Sequence, residues 1–501
     1  MLTTLTCREL LDNLMTFRFA AAALIMLLLV VATTAVLIRD YERRLASYNA
    51  AVKKNRQKTL ERTTYSGARL TIDRPPNPLS IFSVGLDKRL GNTLRVNHLF
   101  VPTLWDAGKH GGDNPFLNLF SSIDLVFIFQ GILSLLALVF AYDTLAGERE
   151  RGTLRLVLTH PVRRGQVLFA KYISGMICLL IPLLMCILLV LIMLTTSASV
   201  FLSIDDFLRI GGVIFTSFVY LSLFYLIGML ISAATHRTST ALMLAMFVWG
   251  FLVLVYPNMI LTAVKTDPPP DTQTSAYNQI RQIWEGFDRD RLQYLANDPV
   301  PGEKWSFGLR GEGGGSFWGY RHYPSSLLYY DLTGFSYKAL KAESEPLVPH
   351  VQNYHRFFGS QVTNTAERMW LVRKPSLDAL YTRPAKMEQM LLRFSPVGLY
   401  DAATEAWTGT DLNGLQDFFT AIQRYHQAVI DYYLDNKIFE SRLWFVGAEG
   451  EIDWNLMPQF AFQRSDIGIN AKRAFPDLCL LLMINLVLFA IIFLIFVRSE
   501  V

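Results

Sequence analysis

Between Arg18 and Arg39 the chain runs for 20 residues, positions 19–38, without a charged side chain. Uncharged, largely apolar runs recur at 125–142, 172–204, 210–235, 238–264 and 478–497. A helix needs about 20 residues to cross the roughly 30 Å of bilayer hydrocarbon, and these runs meet that length or come close to it. Runs this long and continuous exclude a β-barrel, whose strands would alternate apolar and polar positions. The pattern predicts an α-helical integral membrane protein with six spans, at 19–38, 121–142, 172–195, 210–235, 238–262 and 477–497. The 33-residue run is too long for one upright span, so part of it should tilt or leave the core, and Pro182 marks where it can kink. The first run exceeds the apolar core of a signal peptide and no small-residue cleavage pattern follows it, so it reads as a permanent anchor.

Polar segments separate the runs unequally. Positions 143–171 and the His236-Arg237 turn are short and basic, whereas 39–120 and 263–474 are long. In the first long segment Tyr41, Leu45 and Tyr48 keep helical spacing outward from the first span. Positions 68–72, 79–84 and 94–96 read as short β-prone pieces between Pro75-Pro76 and Gly91-Asn92 turn signals. In the second, Pro268-Pro269-Pro270 breaks the chain before Tyr277, Ile280, Trp284, Phe287 and Tyr294, which share one helical face. Val351, Tyr354, Phe358 and Val362 repeat that pattern, as do Phe418, Ile422, Tyr425, Val429 and Tyr433, while 311–315 reads as a glycine-rich flexible loop. The two segments are expected to fold together into a mainly helical domain with minor β structure.

Composition agrees: 51% of residues are hydrophobic and 18% charged, against about 25% charged in soluble domains. Lys and Arg concentrate in 143–171 and in the His236-Arg237 turn, which places the N-terminus (1–18), these two loops and the C-terminus in the cytoplasm and the long segments outside. Cys7, Cys178, Cys186 and Cys479 all avoid the long segments, so no disulfide framework is expected there. The chain contains no Asn-x-Ser/Thr sequon, which favours a bacterial inner membrane. A net charge of +5, placed where topology demands it, gives no argument for nucleic acid.

The sequence has neither a phosphate-binding G-x-x-x-x-G-K-[ST] nor a dinucleotide G-x-G-x-x-G, and no H-E-x-x-H or zinc-type Cys/His spacing. His350 and His355 stand five apart, poorly aligned on a helix, and read as ordinary histidines on an aromatic face. Trp305, Phe317, Trp318, Tyr320 and Tyr323 serve either core packing and membrane-surface anchoring or a ligand groove, the first being the more common use. The six runs contain no Asp, Glu, Lys, Arg or His, whereas ion-coupled transporters carry ionisable groups near the midplane. Energy for any movement would therefore come from another subunit, and no metal or cofactor is expected in this chain.

The strongest local signal is Gly147-Glu148-Arg149-Glu150-Arg151-Gly152-Thr153-Leu154-Arg155-Leu156-Val157-Leu158-Thr159-His160-Pro161-Val162-Arg163-Arg164, followed by Lys171. Gly152 can break the backbone, Thr153 can cap, and Leu154, Val157 and Leu158 share one face of a helix that Pro161 ends. Such an element suits docking into a groove on a soluble partner, or alternatively a basic loop that sets topology and touches lipid headgroups. The residues alone leave both open.

This run resembles the E-x-x-x-G-T-L-x-x-L-L-x-x-P-V-x-R signature of type-2 ABC-exporter permeases, in particular those with large extracytoplasmic insertions. Val157 stands where the first leucine of the L-L pair would be. Glu9-Leu10 with Arg18, Asn114-Pro115-Phe116, positions 237–257, and Ser395-Pro396-Val397-Gly398-Leu399-Tyr400 before Thr410 match as well. The resemblance covers about half of the chain and leaves 265–390 and 440–470 unassigned. It implies an elbow helix at 1–18 and a coupling helix in 143–171. It also implies two ABC ATPase subunits per complex, which bind ATP and Mg, and a second permease protomer, identical or related. Carried over, Glu148, Glu150, Gly152, Thr153, Leu154, Leu158, Pro161, Arg163 and Arg164 would form the ATPase-coupling element. The expected function is that of an ABC transporter permease, with no catalytic motif of its own. The alternative is mechanotransmission, in which the external domain is moved against an extracytoplasmic protein partner without substrate passage. A receptor or scaffold without an ATPase is the reading left if the likeness is accidental.

Overall fold

The computed structural model describes residues 2–68, 70–88, 91–98, 101–102, 124–153, 164–264, 270–297, 319–323, 326–331, 348–444 and 452–498. Peptide groups in hydrocarbon have no water to bond, so each apolar run closes its own hydrogen bonds as a helix. Among the described residues six helices are long and apolar enough to cross a membrane. A short helix α1 (Leu2–Leu14) precedes α2 (Phe17–Leu60), whose N-cap Thr16 accepts from Phe19 N at 3.3 Å. The 44 residues of α2 form one unbroken rod of about 66 Å, apolar in its first half and charged in its second.

The second span, α3, joins Leu125–Ile128 and Ser134–Ala141 through a π turn at Phe129–Leu133, and Asp124 caps it by accepting from Phe127 N. A one-turn helix α4 (Ala146–Glu150) follows. The long third run forms α5 (Arg164–Thr196), which continues through Pro182 as a single helix. The fourth span, α6 (Ile204–Ala234), starts six residues before the uncharged run. Asp205, Asp206 and Arg209 do not end it, because Ser203 and Asp206 form a reciprocal capping box and Arg209 donates to Ser465 O. The fifth, α7 (Thr238–Ala263), carries a π turn at Gly250–Val255.

α3 and α6 form the middle of the bundle, with 72% of their most apolar windows buried, whereas only 17% of the corresponding window of α7 is buried within the chain. Gly228 allows α3 and α6 to touch, since a Cβ there would lie 2.5 Å from Ala141 Cβ.

Beyond α7 the chain forms α8 (Pro270–Asn297) and α9 (Val348–Leu377), which pack together, and a hairpin of β3 (Gly319–Tyr323) and β4 (Ser326–Asp331). It then forms α10 (Arg383–Leu392), α11 (Pro396–Thr408), α12 (Leu412–Asp435) and the last span α13 (Ile467–Arg498). Within the first insertion β1 (Leu70–Asp73) pairs antiparallel with β2 (Thr93–Val96), Leu70 opposite Val96. The piece expected as a strand at 79–84 is instead a 3-10 turn at Pro78–Ile81. Asn77 caps it through Leu79 N, and Pro78 supplies no ladder donor.

The insert core draws on both long segments: Tyr65 from the first packs edge-on against Tyr433 and Trp454 of the second, beside Phe358 and Phe439. A smaller cluster joins Ile72, Leu94 and Val96 to Phe418 and Ile422. α11 belongs instead to the bundle. Val397, Leu399 and Tyr400 are buried in the same core as the spans, and Tyr400 stacks on Tyr220 with centroids 4.3 Å apart and donates to or accepts from Ser217. Thirteen residues are too few to cross, so α11 is an element inserted among α6 and α13.

The glycine-rich 311–315, Trp305, Phe317 and Trp318 lie outside the described residues.

Candidate functional site

At one end of the bundle four parts of the chain far apart in sequence meet at α4. Gly147 and the turn before α4 pack against the α6–α7 connection, where the Ser232 hydroxyl accepts from both Leu145 N (3.0 Å) and Ala146 N (2.9 Å). Arg149 donates to Ala233 O at 2.7 Å and so closes the C-terminal end of α6, where carbonyls lack helical partners. Glu150 accepts from Thr238 N at 2.9 Å and Thr238 Oγ1 at 2.7 Å, capping α7, whose own N-cap Arg237 offers no side-chain bond. Two consecutive residues thus bind two different helices.

Glu148 faces the other way. Its Oε1 lies 2.7 Å from Lys171 Nζ on α5, and Lys171 also meets Glu9 Oε1 of α1 at 2.9 Å. Lys171 is 3% exposed, so its charge depends on these two carboxylates. Arg164, at the start of α5, donates to Val497 O at 2.9 Å and closes the C-terminal turn of α13. Among the described residues, α1, α5, α6, α7 and α13 are therefore tied at this end to one another through residues of 145–171.

α4 ends in a left-handed turn, with Gly152 at φ +73° and open space where a Cβ would point. The Thr153 hydroxyl reaches back to Glu148 O at 3.3 Å. Leu154, Leu158, Pro161 and Arg163 lie outside the described residues. Of the nine residues the sequence singled out, Glu148, Glu150, Thr153 and Arg164 bond elsewhere in the chain. Arg149 and Ser232 were missed. Arg149 looked like one more basic loop residue, and a serine inside an uncharged run carries no pattern that marks it.

At the opposite end two ion-pair clusters join the spans to the insert. Asp206, 0% exposed at the head of α6, lies 2.9 Å from Arg464 and 3.7 Å from Arg209. Arg464 also reaches Asn77 of the first insertion. On α2, Arg44 bonds Asp40 at 3.1 Å, Asp87 at 2.8 Å and the Ser80 hydroxyl at 2.8 Å, while Lys88 lies 2.7 Å from Asp40. Burial lowers the Lys88 pKa, against the pull of Asp40.

Inside the insert a water-sized cavity lies between His98 and His355, walled by Phe358, Gly359, Val362, Phe439 and Trp444. His355 and His98 both meet Trp444 edge-on, and among the described residues no group of three or more His, Cys, Asp or Glu side chains could hold a metal ion.

Six candidate spans among the described residues, with a braced connection at one end and a large two-segment insert at the other, define a polytopic membrane protein. The sequence profile described as ABC-2 family transporter protein matches residues 4–501, and the chain belongs to that family, as a permease subunit. Among similar proteins is the probable ABC transporter permease protein NosY of Stutzerimonas stutzeri, 29% identical over 173 residues, covering 32% of this chain and 59% of the relative. The protein of the same description from Pseudomonas aeruginosa is 33% identical over 134 residues, 26% of this chain and 47% of the relative. The chain thus spans about half the length of each relative it matches.

Proposed function

We propose that this chain couples ATP hydrolysis, carried out by two separate ABC ATPase subunits with ATP and Mg, to movement of a membrane complex containing two permease protomers, identical or related. The complex would sit in a bacterial inner membrane with both termini in the cytoplasm. The observation that carries the reading is the bracing of α4. One residue holds the end of α6, the next holds the start of α7, and Glu148 holds α5 and α1 through Lys171. A displacement of residues 151–163 by a docked ATPase would therefore reach several spans together. Leu154 and Leu158 would anchor the coupling helix in the ATPase cleft, with Pro161 and Arg163 closing its end.

What that movement accomplishes has two readings. In the first, substrate passes between protomers. The second, mechanotransmission to an extracytoplasmic partner, is favoured by α2, which leaves the membrane without interruption and is bolted to the insert by Arg44. A continuous rod transmits tilt over its whole length, which a flexible linker cannot do.

The test begins with gentle purification of the tagged chain and mass spectrometry of what accompanies it. A soluble protein with a phosphate-binding loop is the expected companion. L154D together with L158D should keep membrane insertion yet lose that companion. Retention of the companion with unaltered ATP turnover would refute the coupling role.

A further inference from the structure

We propose that the cavity in the insert is a binding site for one water molecule, which accepts a hydrogen bond from Trp444 Nε1 and donates one to a ring nitrogen of His98. About 10 Å³ is open there to the centre of a water molecule, which is space for one. Trp444 is 2% exposed, and its indole N–H has no hydrogen-bond partner among the described residues. Buried N–H groups are nearly always bonded, to protein or to ordered water. Trp454 in the same core follows that rule: it is 4% exposed, and its Nε1 donates to Arg62 O at 3.2 Å.

The cavity brings together groups that the fold holds just out of reach of one another. His98 follows β2 in the first long segment, and His426 of α12 bonds the Asn97 carbonyl beside it at 2.9 Å. Trp444 comes after α12 in the second. Its place is set by two backbone bonds of 3.1 Å, from Tyr65 N to Leu443 O and from Ser66 N to Trp444 O. The His98 and Trp444 rings meet edge-on, centroids 5.0 Å apart, and among the described residues no group hydrogen-bonds the His98 ring. Phe439 and Gly359 form part of the wall and are already in contact, since a Cβ on Gly359 would lie 2.6 Å from Phe439. Walls fixed in this way cannot close over the gap, so a guest has to supply the missing bonds. No carboxylate or cationic side chain lines the cavity, and two imidazoles are fewer than a zinc site takes from its protein. A neutral guest that both accepts and donates is therefore the one that fits. Water can donate only to a ring nitrogen without a proton, and burial keeps His98 in that neutral form, its pKa pushed down to about 3. The water would join the two long segments by bonds that their side chains do not make directly.

The test is radiolytic hydroxyl labelling of the full-length chain in phospholipid nanodiscs, in which a resident water, activated in place, oxidises the side chains around it. Trp444 should be oxidised at least about threefold faster than Trp454, although both are buried. After rapid mixing with heavy-oxygen water, the label should reach Trp444 later than Leu456, which is 70% exposed on the insert. H98F, which removes the acceptor and fills the space, should slow Trp444 to the rate of Trp454. Equal rates for the two tryptophans in the unaltered chain would overturn the proposal, because the indole N–H would then lie against a ring in a dry cavity. Heavy oxygen reaching Trp444 as early as Leu456 would overturn it too, by showing entry of bulk solvent. So would protection of Trp444 by added Zn²⁺ and its reversal by EDTA, which would mean a metal site. A Trp444 rate unchanged in H98F would refute the part given to His98. If H98F does not fold, the two comparisons on the unaltered chain decide.

Discussion

Lys171 illustrates how a single residue holds this chain together. With Lys171 removed, Glu9 and Glu148 would face each other across an almost closed slot. K171M should therefore cost about 3–5 kcal/mol, the range for stripping one partner from a buried ion pair. The triple variant K171M/E9Q/E148Q, which leaves no charge there, should recover part of it, as read from thermal unfolding in detergent. The neighbouring Arg163 and Arg164 must be separated in any test of ATPase docking. Arg164 already caps α13 through Val497 O, so R164E loosens the bundle by itself, and R163E is the cleaner probe. In the insert, burial pushes His98 and His355 down to about 3, and His426, which bonds Asn97 O, to about 4. An imidazole held neutral in the folded state but titrating near 6.5 when unfolded contributes stability that is complete above pH 6.5. That stability drains away as pH falls toward the folded value. At pH 5 each would cost the insert about 2 kcal/mol. The protease resistance of the insert should fall steeply from pH 6.5 to 4, and H355F, which keeps a ring without a titrating nitrogen, should flatten that slope. The charges of the α4 run were legible in the sequence, but their partners were not, because Ser232, Thr238 and the carbonyls of Ala233 and Val497 carry no mark of their role.

Helices are where the sequence was most informative, since a charge-free run of spanning length admits few other structures. The periodic aromatics likewise located α8, α9 and α12. Where the reading stopped short, pairing had overridden composition. α6 begins at Ile204 because Asp206 and Arg209 find partners, whereas a charge count alone starts the span at residue 210. α11 escaped notice as a bundle element because it is short and carries Asp401 and Glu405. Gln130 of α3 donates to Asp401 at 3.3 Å, a contact between residues 271 positions apart that no local pattern announces. Two substitutions test the element scale. G228V would drive a side chain into Ala141 and Leu138, separate α3 from α6, and cost about 1–3 kcal/mol by overpacking, measurable as a lower unfolding temperature. A50P would break α2 beyond the membrane, at an exposed position, by removing one helical bond and clashing with the carbonyl four residues back. If α2 acts as a lever, A50P should leave ATP turnover of the assembled complex near wild type while reducing nucleotide-dependent distance changes between the insert and the spans. Unchanged spin-label distances would remove α2 from the transmission path.

For the whole molecule the decisive feature is that the same spans are bonded at both ends. Residues 145–171 gather α1, α5, α6, α7 and α13 at one face. At the other, Asp206 and Arg464 connect α6 to the segment leading into α13, and Arg44 connects α2 to the first insertion. Because α6 is common to both joints, movement of its coupling-side end must either be absorbed by bending or reappear at the insert. Asp206 is the place to decide between these, being fully buried and the shared partner of Arg464 and Arg209. D206N would retain the side chain's size and part of its cap but take from Arg464 and Arg209 the carboxylate they share, at a cost of about 3–5 kcal/mol. The expected result is an assembled complex that hydrolyses ATP while the protease sensitivity of the insert no longer responds to nucleotide. Loss of both responses would trace the defect to assembly. An insert that still responds would mean that α2, rather than α6, carries the displacement, and D206N combined with A50P would then be required to silence it.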